Sequence, residues 1–498
     1  MNRLRKLSYS PRWVLVGLLL LTMWVYFPPY HGSFVGDDYV QLDYIAPYVE
    51  RPFSALALLN PFTLPWYYRP IQNWWFLFNR LVFGLNPFGY YAFLLGLHLL
   101  AVALVYRVAR QLQIRPFAAL IATTLFAIHG HHLDVVAWIS SMAIVSGVVF
   151  TLAAVSAFLS WLHHHNRKHL GLALLFYFLS LITHEEGFLL PPLLVWLHML
   201  HTARRTQPKR RKKGKMAEKR FWQGWQWPVS GEETAVFLIM AISVIGYLVI
   251  QFTRPNLTIS VGDTPANQYL TYLSPYRFSL YVVEFFVRYT LTFNWLDFLL
   301  RYSIAWSYLL LLAGAIWFWY GGRTVKFGLT WLALHAAFIY WALWSQKPEL
   351  FAGRHLYNAS VGLVWALGWV IDAWLKRPFS PPALSPNRQR AILLLVLIPL
   401  LWTHIRITRN TQLGWLADTQ EDARVEAQMK AILPSVNDKT HIFANRFVMK
   451  PTFLPAVARV WYNYPLPNPA GAIETLKKHG RADRNYYVFD YDGETLYN

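Results

Sequence analysis

Along the first 410 residues the apolar positions do not alternate. They come in runs of about 17 to 22, broken by short polar stretches, which is long enough for a helix to cross the hydrocarbon core of a bilayer. Such runs lie at 12–29, 88–106, 116–130, 139–162, 169–183, 187–201, 235–252 and 391–408, with further runs between 302 and 376. The stretch 278–301 is ambiguous. Glu284 and Arg288 stand four apart and share a helix face, so the segment either spans or lies along the interface. Basic loops decide between these. If 278–301 does not cross, "GGRTVK" (321–326) and "KRPFSPPALSPNRQR" (376–390) both fall on the cytoplasmic side, with "ARRTQPKRRKKGKMAEKR" (203–220). The pattern thus predicts an all-α polytopic membrane protein of eleven spans, twelve being the alternative.

After residue 408 the pattern changes. "DTQEDARVEAQMKAIL" (418–433) reads as an amphipathic helix. "HIFANRFVM" (441–449) and "YYVFDYDGETLY" (486–497) read as strands, the second a hairpin turning at Asp492-Gly493. The expected organisation is a transmembrane domain over 1–408, with an outer loop at 30–86, and a small extracytoplasmic α/β region over 409–498.

Composition agrees. Charged residues make up 14%, against about 25% in an ordinary soluble domain. The 24 Trp and 29 Tyr suit interfacial aromatic belts. The net charge of +21 would point to nucleic acid in a soluble protein. Here the basic residues sit in particular loops and read as a topology signal, so no nucleic-acid partner is expected. With no cysteine, disulfides and thiolate metal sites are excluded. The basic start at Asn2–Lys6 precedes an apolar core with no small-residue cleavage site after it. The first run is therefore expected as a retained span in the cell membrane, N-terminus in the cytoplasm and C-terminus outside.

With this topology the outer face collects 30–86, 129–138, 184–187, 254–303 and 345–357, which hold most of the membrane-proximal acids and histidines. Asp37 and Asp38 follow the first span. They are either solvated loop charges or a site whose base takes a proton from a hydroxyl. Arg69, in "WYYRP", is an interfacial snorkeller, a headgroup ligand or a partner of Asp37 or Asp38. His129, His131, His132 and Asp134 fall within six residues, the residue types a metal accepts but without a spacing that demands one. Glu185 and Glu186 close the fifth span, and Arg354 and His355 stand directly before a late one. A cation there could stabilise a phosphate leaving group or simply anchor at lipid headgroups.

In this order the motifs "GDD", "YRPI…LFNRLVFGLNPFGYY…GLHLL", "AIHGHHLDVVAWIS", "LITHEEG" and "GRHLYNASVG" resemble those of GT-C fold glycosyltransferases that use polyprenyl-phosphate sugars. The chain looks most like the bacterial O-mannosyltransferase-like proteins and the eukaryotic transmembrane-and-tetratricopeptide O-mannosyltransferases. The resemblance covers about residues 10 to 410. It implies a catalytic base at Asp37 or Asp38, with Asp37 favoured and Asp38 left to position the acceptor or a metal. It places substrate-binding roles on Arg69, His129, Asp134, Glu185, Arg354, His355 and Tyr357, with Trp138 in the same pattern as His129 and Asp134. The implied partners are a polyprenyl-phosphate sugar, membrane lipid and an acceptor hydroxyl on a protein, lipid or glycan. A divalent metal is allowed, and no other cofactor is implied. The sequence departs from the family pattern at Gly130 (usually Pro), His184 (usually Lys) and Met142 (usually polar or basic). The competing class is a transporter or flippase of lipid-linked glycans. Such folds show internal repeats and midplane helix breaks; no clear repeat is seen here, and the polar clusters lie at one face rather than midway.

Overall fold

The computed structural model describes residues 11–27, 33–62, 68–202, 231–253, 303–344, 353–376, 385–444, 454–464 and 485–497. Helices dominate. In chain order they are α1 (Pro11–Tyr26), α2 (Asp37–Ile45), α3 (Pro70–Phe83), α4 (Pro87–Gln111), α5 (Pro116–Ala127), α6 (Leu133–Val136), α7 (Met142–His164), α8 (Arg167–Leu181), α9 (Leu190–Thr202), α10 (Gly231–Thr253), α11 (Ser303–Tyr320), α12 (Arg323–Trp344), α13 (Leu356–Lys376), α14 (Pro386–Ile432) and α15 (Leu454–Tyr462). Short 3-10 turns at Pro52–Leu59, Gly130–His132, Ile139–Ser141, Glu185–Leu189 and Gly353–His355 join them.

Local chemistry sets many of these boundaries. Proline opens α3, α4 and α5, where its missing N–H has no partner to lose. Asn86 Oδ1 accepts from Phe88 N at 3.1 Å and caps α4. Gly84, at φ 63°, ends α3 and turns the chain into α4 within three residues.

Among the described residues, five helices are long and apolar enough to cross a membrane. They begin at Pro87, Ile139, Gly231, Leu356 and Arg388. A sixth is possible if Pro116–Ala127 and Gly130–Val136, bent by 50°, form one broken span. The expected count of eleven is therefore not confirmed. Helices α5, α8 and α9 have 12, 15 and 13 residues, short of the ~20 a straight crossing takes. The ambiguous stretch 278–301 lies outside the described residues.

Helix α7, the most buried of the long apolar helices, packs against α4 and α8, and α13 packs against α5 and α12. The α12–α13 contact is unusually close. A Cβ on Gly328 would lie 2.4 Å from the Gly362 carbonyl, and one on Gly362 would lie 2.2 Å from that of Gly328. Small residues bring helices together in this way where lipid offers no hydrophobic drive. This contact, with the hydrogen bond from Trp331 Nε1 to the Asn358 carbonyl (2.9 Å), holds the N-terminal end of α13 in place.

In the C-terminal region β1 (Thr440–Ala444) pairs in parallel with β2 (Asn485–Tyr491), from Thr440 opposite Asn485 to Ala444 opposite Phe489. β2 pairs antiparallel with β3 (Leu496–Tyr497). The hairpin turns at Asp492-Gly493 as expected, with Gly493 at φ 107° and Asp492 Oδ1 accepting from Glu494 N and Thr495 N. The amphipathic helix is not a separate element. It is the second half of α14, which runs unbroken from Pro386 to Ile432, so the boundary at 408/409 falls inside one helix. Helix α15 packs on β1 on one side and on α2 on the other. Arg459 binds Asp43 of α2 through both carboxylate oxygens at 2.7 Å, and Trp461 Nε1 donates to Tyr39 Oη at 3.1 Å.

Candidate active site

Asp37 and Asp38 are not in a loop. They form the first turn of α2, where acids favour the exposed N–H groups and the helix dipole. Gly36, at φ 52°, makes the bend that starts the helix. The two side chains then diverge. Asp37 is exposed. Asp38 is fully buried, its Oδ1 accepting from Ser140 N at 2.7 Å and from the Ser140 hydroxyl, its Oδ2 from Val35 N at 3.0 Å. Burial pushes the Asp38 carboxyl up to about 7, and the hydrogen bonds from Ser140 and Val35 offset only part of that. Asp38 thus ties α2 to the Ile139–Ser141 turn, 102 residues away.

The Gly353–His355 turn brings Arg354 to the same end of the bundle, packed against α6. Its guanidinium lies over the Trp138 ring at 4.8 Å. Burial lowers its proton affinity, while Asp134 and Asp37 both act electrostatically to raise it. Asp37, Asp134 and Arg354 come from three distant segments and share one electrostatic neighbourhood. His355, beside Arg354, is driven down to about 4, first by burial and then by Arg354, so it is neutral at physiological pH.

A second cluster sits at the Glu185–Leu189 turn. Arg69 holds Glu185 in a two-point pair, Nε to Oε1 at 2.9 Å and Nη2 to Oε2 at 2.6 Å. Of the alternatives for Arg69, a carboxylate partner is present, and it is Glu185, 116 residues on. Burial acts to raise the Glu185 carboxyl, but Arg69 and His184 hold it below its usual range. Glu186 points the other way and is buried. Its Oε2 accepts from His335 Nδ1 at 2.8 Å and Asn358 Nδ2 at 2.6 Å. Burial would raise its carboxyl as well, yet His335, His184 and Asn358 bring it down to about 2. Gly187 makes the turn possible, since a Cβ there would lie 2.7 Å from the Leu181 backbone. His355 feels both Glu186 and His184, so the two clusters are electrostatically continuous.

The histidines at 129–132 are packed ring on ring. The His129 ring lies 4.4 Å from that of His404 and 5.0 Å from that of His132. The His129 carbonyl accepts from Tyr26 Oη at 2.7 Å. Among the described residues no three His, Asp or Glu side chains converge as metal ligands. Tyr357 is buried, its hydroxyl 2.7 Å from His98 Nδ1. His98 Nε2 faces the Ala127 carbonyl at 3.0 Å, which can only accept, so Nε2 carries the proton and Tyr357 donates to Nδ1.

Asp37, Asp134 and Arg354 thus share one neighbourhood, His355 links it electrostatically to Glu186 and His184 beside the Arg69–Glu185 pair, and Asp38, His129 and Tyr357 are buried. Sequence reading singled out Glu186 only as one of a doublet with Glu185, and did not nominate His335, Asn358 or Ser140. His335 carried a signal, a lone ionisable residue in an apolar run, which is a site candidate by default. Ser140 and Asn358 carried none.

No known family profile matches the chain. A curated relative, the protein O-mannosyl-transferase F38B6.6 of Caenorhabditis elegans, is 29% identical over 136 residues, which is 27% of this chain and 19% of that protein. Two solved structures match along nearly the whole length. ArnT from Cupriavidus metallidurans in the apo state superposes with a TM-score of 0.53 at 12% identity, covering 97% of this chain and 94% of that one. The same protein bound to undecaprenyl phosphate gives 0.52 at 11%, with the same coverage. The long apolar helices and this shared architecture make the chain an integral membrane protein of the GT-C fold.

Proposed function

We propose that the protein is a membrane glycosyltransferase that moves a sugar from a polyprenyl-phosphate donor to an acceptor hydroxyl. The observation that carries this is the meeting of the exposed Asp37 and half-buried Asp134 with Arg354 at one end of an ArnT-like bundle. The solved ArnT complex with undecaprenyl phosphate supports the lipid class of the donor. The match to the O-mannosyl-transferase supports the reaction class.

In this reading the donor enters sideways from the bilayer, with its phosphate at the interface on the outer face. The Asp37 carboxylate takes the proton of the acceptor hydroxyl as that oxygen attacks the anomeric carbon. The bond from carbon to phosphate oxygen breaks in the same step, and its electron pair leaves on the lipid phosphate, so the configuration inverts. Arg354, backed by Trp138, offsets the charge that grows on the phosphate. Neutral His355 adds no positive charge beside Arg354. Asp134 and Glu185 orient sugar hydroxyls, and Arg69 holds Glu185. Asp38 is a poor base here because both its oxygens are engaged in holding α2. No step in this scheme requires a metal. The same orientation places the N-terminus in the cytoplasm and the C-terminal α/β region outside, over α2.

The test is turnover of sugar-labelled polyprenyl phosphates by the purified protein in nanodiscs, reading both released lipid phosphate and labelled acceptor. Transfer with inverted anomeric configuration is expected. Flux of intact donor across sealed vesicles without release of lipid phosphate would contradict it.

A further inference from the structure

The 3-10 helix Pro52–Leu59 is not used by the chemistry above, and its surface is divided in an unusual way. A 3-10 helix has three residues per turn, so residues three apart eclipse and form straight rows. Ala55 and Leu58 are buried against the protein at 4% and 0% exposure. A second row, Arg51, Ser54, Ala57 and Asn60, is exposed and polar or small. The third row, Phe53, Leu56 and Leu59, is bulky and apolar, yet it is 91%, 64% and 39% exposed, and Phe62, just past the helix end, is 61% exposed. Three large apolar side chains in register, with an exposed Phe beyond them, do not suit a face turned to water.

Two further observations identify what covers that edge. The segment lies between α1 and α4, so it sits at a membrane surface by connectivity. It is also fixed to α3, through Trp74 Nε1 donating to the Ala55 carbonyl at 3.0 Å and Tyr68 Oη to the Leu59 carbonyl at 2.9 Å. Helix α3 itself leaves Phe78, Leu81 and Val82 exposed, and Phe88 continues this surface into the membrane helix α4. The apolar row thus adjoins α3, whose exposed Phe78 packs on Phe93 of the membrane helix α4 with ring centroids 5.6 Å apart.

We propose that the Phe53–Leu56–Leu59–Phe62 ridge is a lipid-docking surface that inserts among the acyl chains of the leaflet next to the candidate site, while the Arg51–Ser54–Ala57–Asn60 row faces headgroups and water. The ridge then fixes the depth of the adjoining Tyr68-Arg69 segment relative to the leaflet. This inference does not depend on the reaction proposed above.

The chain has no cysteine, so labels can be placed one at a time on the full protein. Phe53→Cys, Ser54→Cys, Leu56→Cys and Ala57→Cys would each carry a nitroxide in nanodiscs of phosphatidylethanolamine and phosphatidylglycerol. Collision rates would be measured with oxygen, which partitions into lipid, and with a nickel chelate, which stays in water. Positions 53 and 56 are expected to favour oxygen several-fold over nickel, and positions 54 and 57 the reverse. Equal nickel access at all four positions would overturn the proposal. So would shielding of 53 and 56 from both reagents, which would mean that protein, not lipid, covers the ridge. Should a label at 53 or 56 disturb folding, Leu59→Cys and Asn60→Cys carrying bimane give the same contrast. Acyl-brominated lipid should quench position 59 several-fold more than 60, and equal quenching would contradict the ridge.

Discussion

The molecule holds two pairs of neighbouring carboxylates, Asp37-Asp38 at the start of α2 and Glu185-Glu186 at the turn before α9, and they are solved differently. In each pair one acid is buried and the other lies nearer the surface. The buried acids have opposite fates. Asp38 is surrounded by neutral donors, a hydroxyl and two backbone N–H groups, so desolvation prevails and its proton affinity rises to about 7. Glu186 is also buried but meets His335 and His184, which bring its carboxyl down to about 2. Burial alone therefore does not fix the charge of a membrane-proximal acid; a nearby basic ring does. The outer members differ as well. Glu185 is committed to the Arg69 fork, whereas Asp37 is exposed and within the field of Arg354.

Apart from loss of the base itself, the largest effect should come from the cation whose field Asp37 shares. Arg354→Gln removes the charge set against the leaving phosphate and should lower kcat by about 10²–10³-fold, with folding intact by thermal melt. Equal turnover would move the phosphate site elsewhere. Next, Glu186→Gln should cost about 3–5 kcal/mol of stability, because the buried ring and amide it serves lose their charged acceptor. A melt in nanodiscs reads this. A change in donor KM with no loss of stability would instead place Glu186 in the substrate site.

The third effect is a pH dependence that separates the two buried acids by sign. The folded Asp38 carboxyl binds its proton up to about pH 7, and the unfolded one releases it near the usual ~4. Between these values the folded state holds more protons, so this acid's contribution to stability is fully present below pH ~4 and falls as pH rises toward 7. Its full span is on the order of 4 kcal/mol. Glu186 runs the other way: its contribution is present above its ordinary range and is lost as pH falls toward about 2. Asp38→Asn should flatten the loss of stability between pH 5 and 7, measured by denaturation at fixed temperature. An unchanged slope in that variant would show that Asp38 is ionised throughout.

The same two pairs show what the chain's pattern could and could not reveal. Both were visible as doublets beside apolar runs, and Arg354 and Asp134 were visible as charges at span ends. Helix α2 was not, because "DDYVQLDYI" is short and lacks a sustained 3.6-residue apolar period. Nor were the partners that decide each acid's state. Ser140 is 102 residues from Asp38, Glu185 is 116 from Arg69, and Asn358 is 172 from Glu186. Such pairings are set by how the helices pack, which no local pattern encodes. The apolar runs located the helices well; among the described residues five helices meet the length of a crossing, and helices such as α5 and α9, with 12 and 13 residues, are too short for a straight one, so the count of eleven is not confirmed. The join between the last span and the C-terminal helix was missed for a related reason. A change from apolar to amphipathic composition reads as a boundary, yet α14 keeps its backbone hydrogen bonds straight through it.

The central claim is that Asp37, not Asp38, accepts the proton. Asp37→Asn and Asp38→Asn, each compared with wild type for lipid-phosphate release and for thermal stability, test it most directly. Asp37→Asn should lose about 10²–10⁴-fold in kcat while melting like the wild type, whereas Asp38→Asn should lose stability, with activity recovering as folded protein is corrected for. Full transfer by a well-folded Asp37→Asn protein, or an inactive Asp38→Asn protein with an unchanged melt, would contradict the account.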